Sequence, residues 1–209
     1  MTTVLALFTC FNRKEKTLQC IRSLSEGNKQ LSFSYVIVDD NSTDGTREAL
    51  EALKQEGTDL TLLSGTGSLF WAGGMRRGIA YAKEHTKTDY YLLVNDDVDF
   101  RPQVITEMVG AIQTGEKPYR NDCVLVGPMC DEAGNFSYGG IRYQKGIHYD
   151  EVKPQDADLS CDSFNMNCLL MPQEIFRKVP NFDEHYIHSL ADFDYGLSMK
   201  RLGIPVYVY

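Results

Sequence analysis

The segment Tyr90–Asp99 constrains the fold more than any other stretch of the chain. Five apolar or aromatic residues are followed at once by an amide and three carboxylates, in the order Asn95, Asp96, Asp97 and Asp99. The apolar run has the length and β-propensity of a buried strand in an α/β sheet. Ligands of such sheets bind outside the carboxyl ends of the strands, where these acids are expected. Two interpretations stay open: a solvated turn, or oxygen ligands for a hard divalent cation.

The first half of the chain, up to Gly115, alternates short apolar runs with amphipathic segments. Leu18, Ile21 and Leu24 recur every three residues, which predicts a helix with one face on a sheet. Another helix is expected to begin at Pro102, because proline suits the first helical position. The β-α order predicts an α/β fold with a Rossmann-like, mostly parallel sheet flanked by helices. Strands are predicted at residues 4–9, 33–38, 60–63 and 90–94.

The second half has shorter and less regular elements, which predict a smaller mixed region. Aromatic and polar residues alternate over residues 136–149, indicating a hairpin that turns at Gln144–Gly146. A single strand is predicted at residues 163–171, and a helix is predicted to begin near Asp192. The sequence stops inside a last predicted strand, residues 204–209, so we expect a C-terminal region to be missing.

Charge and cysteine content exclude several classes of function. The net charge of −8 argues against nucleic acid or an anionic membrane as the main partner. Six cysteines without a C-x-x-C pair indicate reduced thiols and a cytoplasmic location. No apolar run approaches membrane-spanning length, although peripheral association with the inner membrane face stays open.

Acidic residues also cluster at two other predicted element ends. Asp39 and Asp40 follow the second predicted strand, so they should share a sheet edge with Asp96 and Asp97. Asp192 opens a predicted helix, where a carboxylate is favoured by the helix dipole. It is either a helix-capping residue or, if it faces the other two clusters, a candidate general base.

The chain resembles family 2 glycosyltransferases of the GT-A fold. The resemblance rests on the segments Thr9–Arg13, Val38–Thr46, Val94–Asp97, Asn181–Glu184 and Ala191–Tyr195, which occur in the family's order and spacing. The Gly-rich segment Gly65–Ile79 resembles the rhamnosyltransferase-like branch. The family implies an inverting transfer from a UDP-, GDP- or dTDP-sugar to a glycan or lipid-linked acceptor, with Mn²⁺ or Mg²⁺ as the cofactor.

The resemblance assigns roles at the end of the central strand. Asp97 matches the metal-binding acid, and Asp96 matches its neighbour that contacts the donor ribose or diphosphate. Asn95 stands where relatives have a first acid, so one carboxylate is lost there. A cation at Asp97 would neutralise the charge that develops on the diphosphate leaving group.

Other positions match the nucleobase pocket. Asp40 matches the acid that accepts a hydrogen bond from the base ring, and Thr9 and Phe11 match the rest of the pocket. Core packing is the alternative interpretation of Thr9 and Phe11.

Two further residues are assigned with the help of the resemblance. Asp192 matches the general base, although the residue before it is Ala191 rather than the usual Glu. Arg76 follows Gly73–Gly74, and an arginine beside a helix N-terminus can hold a phosphate. Trp71 is expected to pack against the sheet.

The predicted division of the chain follows from these assignments. Residues 1–115 would form the nucleotide-sugar-binding half, and residues 116–209 the acceptor-binding and base-bearing half of the same domain. A non-catalytic nucleotide-sugar-binding module is an alternative. A sugar nucleotidyltransferase is another, but it needs a Gly-rich basic segment after the first strand, where Cys10–Arg13 has no glycine.

Overall fold

A computed structural model describes residues 1–120, 122–145 and 148–209 of the protein. Within these ranges the chain forms six helices and twelve strands. Among these helices, none combines the length and the apolar character needed to cross a membrane.

The first half confirms the predicted alternation of strands and helices. Helix α4 begins two residues after Pro102, because Gln103 adopts a left-handed backbone conformation with φ of 67°. It ends at Gly115, another left-handed residue (φ 64°), a common way for helices to stop. The elements are β1 (Thr2–Cys10), α1 (Lys14–Gly27), β2 (Leu31–Asp39), α2 (Thr46–Gln55), β3 (Leu60–Ser64), α3 (Phe70–His85), β4 (Tyr90–Val94) and α4 (Val104–Thr114).

The second half is mixed, as predicted. Its elements are β5 (Val124–Val126), β6 (Met129–Cys130), β7 (Phe136–Tyr138), β8 (Gly140–Tyr143), β9 (Tyr149–Val152), β10 (Ser163–Phe164), β11 (Cys168–Pro172), α5 (Gln173–Lys178), α6 (Ala191–Arg201) and β12 (Val206–Val208).

Two predictions for this half need correction. The hairpin is shorter than predicted: β8 pairs with β9, whereas β7 pairs with β6. Gly146, expected in its turn, lies outside the described residues. The strand predicted at residues 163–171 is split into β10 and β11, because the backbone bends at Asn165–Asn167, where the Asn167 N–H donates to the Asn165 carbonyl.

In the described part of the chain, the main sheet has seven strands in the order β12-β5-β11-β4-β1-β2-β3. The pairs β11-β4 and β11-β5 are antiparallel and the other pairs are parallel, so β11 alone of these seven runs in the opposite direction. Strands from both halves of the chain therefore belong to one sheet. Strand β4 lies at its centre with every residue buried, as its apolar sequence predicts.

Hydrophobic layers cover both faces of this sheet. Leu24 of α1 and Met108 of α4 are buried on one face. Met75 of α3 and Met199 of α6 are buried on the other. Burial of side chains of this size contributes about 1.5–3 kcal/mol each, which holds the helices against the sheet.

The strand directions determine where polar side chains collect. The carboxyl ends of β1, β2 and β4 share one sheet edge, since Cys10 pairs with Asp39 and β4 lies on the other side of β1. Because β11 is reversed, its beginning lies at the same edge, with Cys168 opposite Val94. The segments after β1, β2 and β4 and the segment before β11 therefore meet there.

Candidate functional site

A cleft of about 820 Å³ opens at this sheet edge. Both halves of the chain line it, as expected of a ligand site in a sheet of this kind. Six of the seven site residues predicted from the sequence are among its lining residues: Thr9, Phe11, Asp40, Asp96, Asp97 and Asp192.

Asp96 and Asp97 converge on a single positively charged atom. Nη1 of Arg13 lies 2.7 Å from Oδ2 of Asp97 and 3.5 Å from Oδ1 of Asp96. The side chain of Arg13 is half exposed, and that of Asp97 is about one-third exposed (32%). Arg13 comes from the loop after β1, so the contact joins segments 84 residues apart in sequence. Arg13 belongs to a segment that carries the family resemblance, but no role was predicted for it.

The Asp96 carboxyl lies deeper than that of Asp97. Its Oδ2 accepts a 3.3 Å hydrogen bond from the hydroxyl of Thr17, a buried residue of α1. Burial raises the pKa of Asp96 to about 6, and the Arg13 guanidinium opposes this shift. Burial thus disfavours the charged form of Asp96, and the positive charge beside it favours that form.

The chemistry of these two carboxylates fits a divalent cation that takes its remaining ligands from outside the protein. Arg13 shows that both side chains can direct an oxygen at one positive atom. Over the described ranges, no group of three or more His, Cys, Asp or Glu side chains could hold a metal ion. Mg²⁺ is commonly held by one or two carboxylates, with phosphate oxygens and water completing its coordination. The donor set matches that mode rather than a cage made of protein alone.

The Asp40 carboxylate holds the Gly-rich loop beside the cleft through backbone hydrogen bonds. Its Oδ1 accepts a hydrogen bond from Gly67 N (2.8 Å), and its Oδ2 accepts from Leu69 N (2.9 Å) and Phe70 N (3.2 Å). A Cβ atom at Gly65 would lie 2.3 Å from Oδ1 of Asp40, which explains the glycine there. The carboxylate thus has a structural role that the sequence pattern did not predict, and its contact with a nucleobase stays a prediction.

Thr9 and Phe11 occupy different environments within the cleft. The Thr9 hydroxyl donates to the Val38 carbonyl at 3.0 Å, so it is engaged with the neighbouring strand. Phe11 is 49% exposed, and this excludes core packing as the reason for an aromatic residue there. Phe70, at the start of α3, is similarly exposed, and its ring stacks on His188 with centroids 6.2 Å apart. The cleft therefore offers exposed aromatic faces to a planar ligand.

Arg76 does not line the cleft, and its position does not support the predicted phosphate contact. Helix α3 begins at Phe70, so Arg76 lies in its second turn rather than beside its N-terminus. Its Nη1 donates to the carbonyls of Asp183 (3.3 Å) and Tyr186 (3.2 Å). Gly73 and Gly74 lie inside this helix rather than in a loop before it. A Cβ atom at Gly74 would lie 2.2 Å from Oγ1 of Thr9, so the glycine lets α3 approach β1 closely.

Asp192 is the second residue of α6, and it faces the bend between β10 and β11. Its Oδ2 accepts a 3.3 Å hydrogen bond from Met166 N, and its Oδ1 accepts one from Phe193 N at 2.9 Å. Burial raises the pKa of Asp192, and the two backbone N–H groups oppose the shift. A carboxylate with a raised pKa is a better proton acceptor near neutral pH than an ordinary aspartate.

Asn95 connects the two sides of the cleft through its side-chain amide. Its Oδ1 accepts a 2.7 Å hydrogen bond from the indole Nε1 of Trp71. Its Nδ2 donates to Oδ1 of Asn167 in the bend before β11. Trp71 packs on Phe182, as the expectation of a packing role suggests, but it also lines the cleft. In the sequence, the only feature that pointed to these Trp71–Asn95–Asn167 contacts was an amide residue at the end of a predicted strand.

Sequence comparison gives one family. A sequence model of the family described as Glycosyl transferase family 2 matches residues 6–172. This span includes every predicted site residue up to Asp97 and ends before Asp192. Among curated protein sequences, none matches the chain significantly.

Solved structures of glycosyltransferases have the same fold as this chain. TarS (residues 1–349) from S. aureus, in complex with UDP-GlcNAc, has a TM-score of 0.69 at 14% identity, covering 100% of this chain and 56% of its own. Mannosyltransferase PcManGT from Pyrobaculum calidifontis, in complex with GDP-Man and Mn²⁺, has a TM-score of 0.65 at 13% identity, covering 99% of this chain and 54% of its own. The chain therefore spans a little over half the length of these structures, and at such identities the likeness shows the fold alone.

Proposed function

Because the chain belongs to glycosyl transferase family 2 and has the GT-A fold, we propose that it is an inverting glycosyltransferase that uses a nucleotide-sugar donor. The observation that carries the proposal is the meeting of Asp40, Asp96, Asp97 and Asp192 in one cleft. These acids come from distant parts of the sequence. If they were only solvent-exposed turn residues, nothing would require their side chains to line the same cleft.

In the proposed function, residues 1–115 bind the donor. Phe11 stacks on the nucleobase with its exposed ring, Thr9 lines the same pocket, and a remaining lone pair of Asp40 accepts from the base ring. Asp96 contacts the ribose or the diphosphate. The complexes of TarS with UDP-GlcNAc and of PcManGT with GDP-Man support a nucleotide-sugar donor for this chain without selecting its base.

Asp97, with Asp96 beside it, would hold Mn²⁺ or Mg²⁺ in this proposal. The cation would supply positive charge to the diphosphate leaving group as the glycosidic bond breaks. Support comes from the convergence of the two carboxylates on Arg13 Nη1 and from the Mn²⁺ that accompanies GDP-Man in the PcManGT complex.

Asp192 is the proposed general base on the side formed by residues 116–209. It accepts the proton of an acceptor hydroxyl as that oxygen attacks the anomeric carbon from the face opposite the diphosphate, which inverts the anomeric configuration. The hydrogen bonds from Met166 N and Phe193 N keep the carboxylate oriented for this step. The proposed acceptor is a glycan or a lipid-linked glycan, and the acidic chain does not suit nucleic acid.

The proposed location is the cytoplasm, and peripheral association with the inner face of the membrane stays open. The sequence feature behind this proposal is the presence of six cysteines without a C-x-x-C pair, a pattern typical of reduced thiols. Fractionation of cells that produce the protein tests this part: recovery in a high-salt membrane wash supports peripheral attachment, and recovery outside the cell contradicts it.

The function is tested by donor binding and turnover in the parent protein and in Asp192→Asn. A thermal-shift panel of UDP-, GDP- and dTDP-sugars with Mn²⁺ should identify at least one donor that raises the melting temperature. Asp192→Asn should keep that shift and lose about 10²–10⁴-fold in sugar transfer or donor hydrolysis. Binding without turnover in the parent protein would favour the non-catalytic binding module instead. Equal turnover in both proteins would remove Asp192 from the mechanism.

A further inference from the structure

The charge balance of the cleft is the starting point for an inference about Arg13. Four aspartates line the cleft: residues 40, 96, 97 and 192. Among the described residues that line it, Arg13 is the only lysine or arginine. A cleft of this composition repels an anionic diphosphate unless positive charge is made available, and among these lining residues Arg13 is placed to supply it.

The charge of Arg13 is already engaged by acids. Its Nη1 contacts both Asp97 (2.7 Å) and Asp96 (3.5 Å), so the guanidinium occupies the point at which the two carboxylates converge. A cation held by the same oxygens cannot share that point with Nη1. Cation and guanidinium must therefore exclude each other at these carboxylates.

The backbone next to Arg13 is fixed, whereas its side chain can move. The Asn12 N–H donates to Ser42 Oγ (3.0 Å), and Asn12 Oδ1 accepts from Thr43 N (2.7 Å), which ties this loop to the loop after β2. The Arg13 side chain is half exposed. A reorientation about its own torsions can carry the guanidinium away from the carboxylates without moving the loop.

We propose that Arg13 is an exchangeable counter-ion of the Asp96–Asp97 pair. With the cleft empty, its guanidinium neutralises the two carboxylates. When a nucleoside diphosphate group enters with a divalent cation, the cation takes the carboxylates and the guanidinium turns to the diphosphate oxygens, which it can bind through two N–H groups. The inference deepens the proposed function and rests on it, because it names Arg13 as a specificity residue for a diphosphate that arrives with its metal.

The exchange makes cation binding and diphosphate binding depend on each other. A cation that arrives alone must displace the guanidinium and leave it without a partner, so it binds weakly. A diphosphate supplies the new partner, and each ligand thus strengthens the other by the same factor. Couplings of this kind are typically about 5–150-fold.

The test measures Mn²⁺ affinity in the absence of nucleotide, by electron paramagnetic resonance of free Mn²⁺. Arg13→Gln removes the charge, so this variant should bind Mn²⁺ about tenfold or more tightly than the parent protein. Arg13→Lys keeps a charge and should bind Mn²⁺ nearly as weakly as the parent. Lys16→Gln makes the same charge change at an exposed position of α1 and is the matched control. Adding Asp97→Asn to Arg13→Gln should abolish the gain, which locates it in the cleft.

Equal or weaker Mn²⁺ binding by Arg13→Gln overturns the inference, as does a gain of the same size in Lys16→Gln. A second measurement separates this outcome from failure of the proposed function. UDP, GDP and dTDP are added with Mn²⁺, and the melting temperature is recorded. The nucleotide that stabilises the parent protein should stabilise Arg13→Gln less. If none of the three stabilises the parent, the proposed donor is wrong, while the Mn²⁺ titration still decides the role of Arg13.

Discussion

The indole Nε1 of Trp71 donates a 2.7 Å hydrogen bond to Oδ1 of Asn95, at the position where the family resemblance implies an acid. The amide is therefore more than a lost carboxylate. Its Nδ2 donates to Oδ1 of Asn167, and this second bond requires a donor that an aspartate does not have.

Replacing Asn95 by Asp should weaken the protein rather than restore a better metal site. The carboxylate would face the Asn167 carbonyl oxygen without a donor, and it would add a third negative charge beside Asp96 and Asp97. We expect the free energy of unfolding in EDTA to fall by about 1–3 kcal/mol. Trp71 is the single tryptophan of the chain, so its fluorescence can follow urea unfolding. The control Gln30→Glu makes the same chemical change at an exposed site and should stay within about 0.5 kcal/mol. Unchanged stability of Asn95→Asp would show that the Asn95–Asn167 contact contributes nothing.

Asp40→Asn should destabilise the protein even without any nucleotide. An amide group offers one acceptor oxygen where the loop between Gly67 and Phe70 uses two, and its NH₂ group would face a backbone donor. The expected loss is roughly 1.5–3 kcal/mol, the range for hydrogen bonds to charged groups. Limited proteolysis should cut the variant faster in the Gly-rich loop. Asp59→Asn, at an exposed position, is the matched control. A stable Asp40→Asn protein that has lost only nucleotide binding would mean that the loop does not depend on this carboxylate.

Gly74→Ala and Gly110→Ala should have opposite effects on stability. A Cβ atom at Gly74 would lie 2.2 Å from Oγ1 and 2.6 Å from Cβ of Thr9, so α3 must move away from β1 at a cost of about 1–3 kcal/mol. At Gly110, inside α4, no heavy atom of the described residues beyond the adjoining backbone of its own helix lies within 4 Å of the added methyl group. Alanine there should raise the free energy of unfolding by roughly 0.4–1 kcal/mol, because it restricts the unfolded chain. Denaturant titrations compare the two variants, and equal effects would refute the close approach of α3 to β1.

The pH dependence of turnover should report the raised pKa of Asp192. The base works when it is deprotonated, so the apparent kcat/KM for donor and acceptor should fall as pH decreases through that pKa. Because burial raises the pKa, the fall should begin at a higher pH than for an ordinary aspartate, whose pKa is about 3.9. The same shift means that the folded protein binds this proton more tightly than the unfolded chain does. The contribution of Asp192 to stability therefore decreases as pH rises through its folded pKa.

A pH–rate profile checks this expectation, with donor affinity measured at each pH as the control for binding. An acidic limb at the ordinary aspartate pKa would contradict it. A limb that persists in the residual activity of Asp192→Asn would assign the titration to another group.

The fold and much of the cleft could be predicted because both depend on local patterns. Strand-length apolar runs between amphipathic helices define a parallel sheet, and acids placed after two of its strands must lie at one edge. The family prediction was likewise confirmed by the match over residues 6–172.

The errors concern contacts between segments distant in sequence. Gly73 and Gly74 looked like a loop before a helix, so Arg76 was placed at a helix N-terminus. They lie inside α3, and Gly74 is needed there because α3 packs closely on Thr9, a contact that no local pattern encodes. The strand predicted at residues 163–171 is interrupted at Asn165–Asn167, and its first residue also makes contacts with a segment distant in sequence. Ser163 packs under Gly196 of α6, where an added Cβ atom would lie 2.4 Å from Oγ of Ser163, and its hydroxyl donates to the Phe193 carbonyl.

The reversed direction of β11 has a consequence for how the cleft can diversify. The residues that follow β1, β2 and β4 lie at the edge of the sheet that forms the cleft. Because β11 runs in the opposite direction, the residues at this edge are those that precede it, Asn165–Asn167. Insertions between β10 and Asn167 would thus reshape the wall facing Asp192, while the contact between Asn167 and Asn95 ties β11 to the turn after β4. Because one strand is reversed, the two sides of the cleft are formed by separate segments of the sequence, and each segment can change in length without the other.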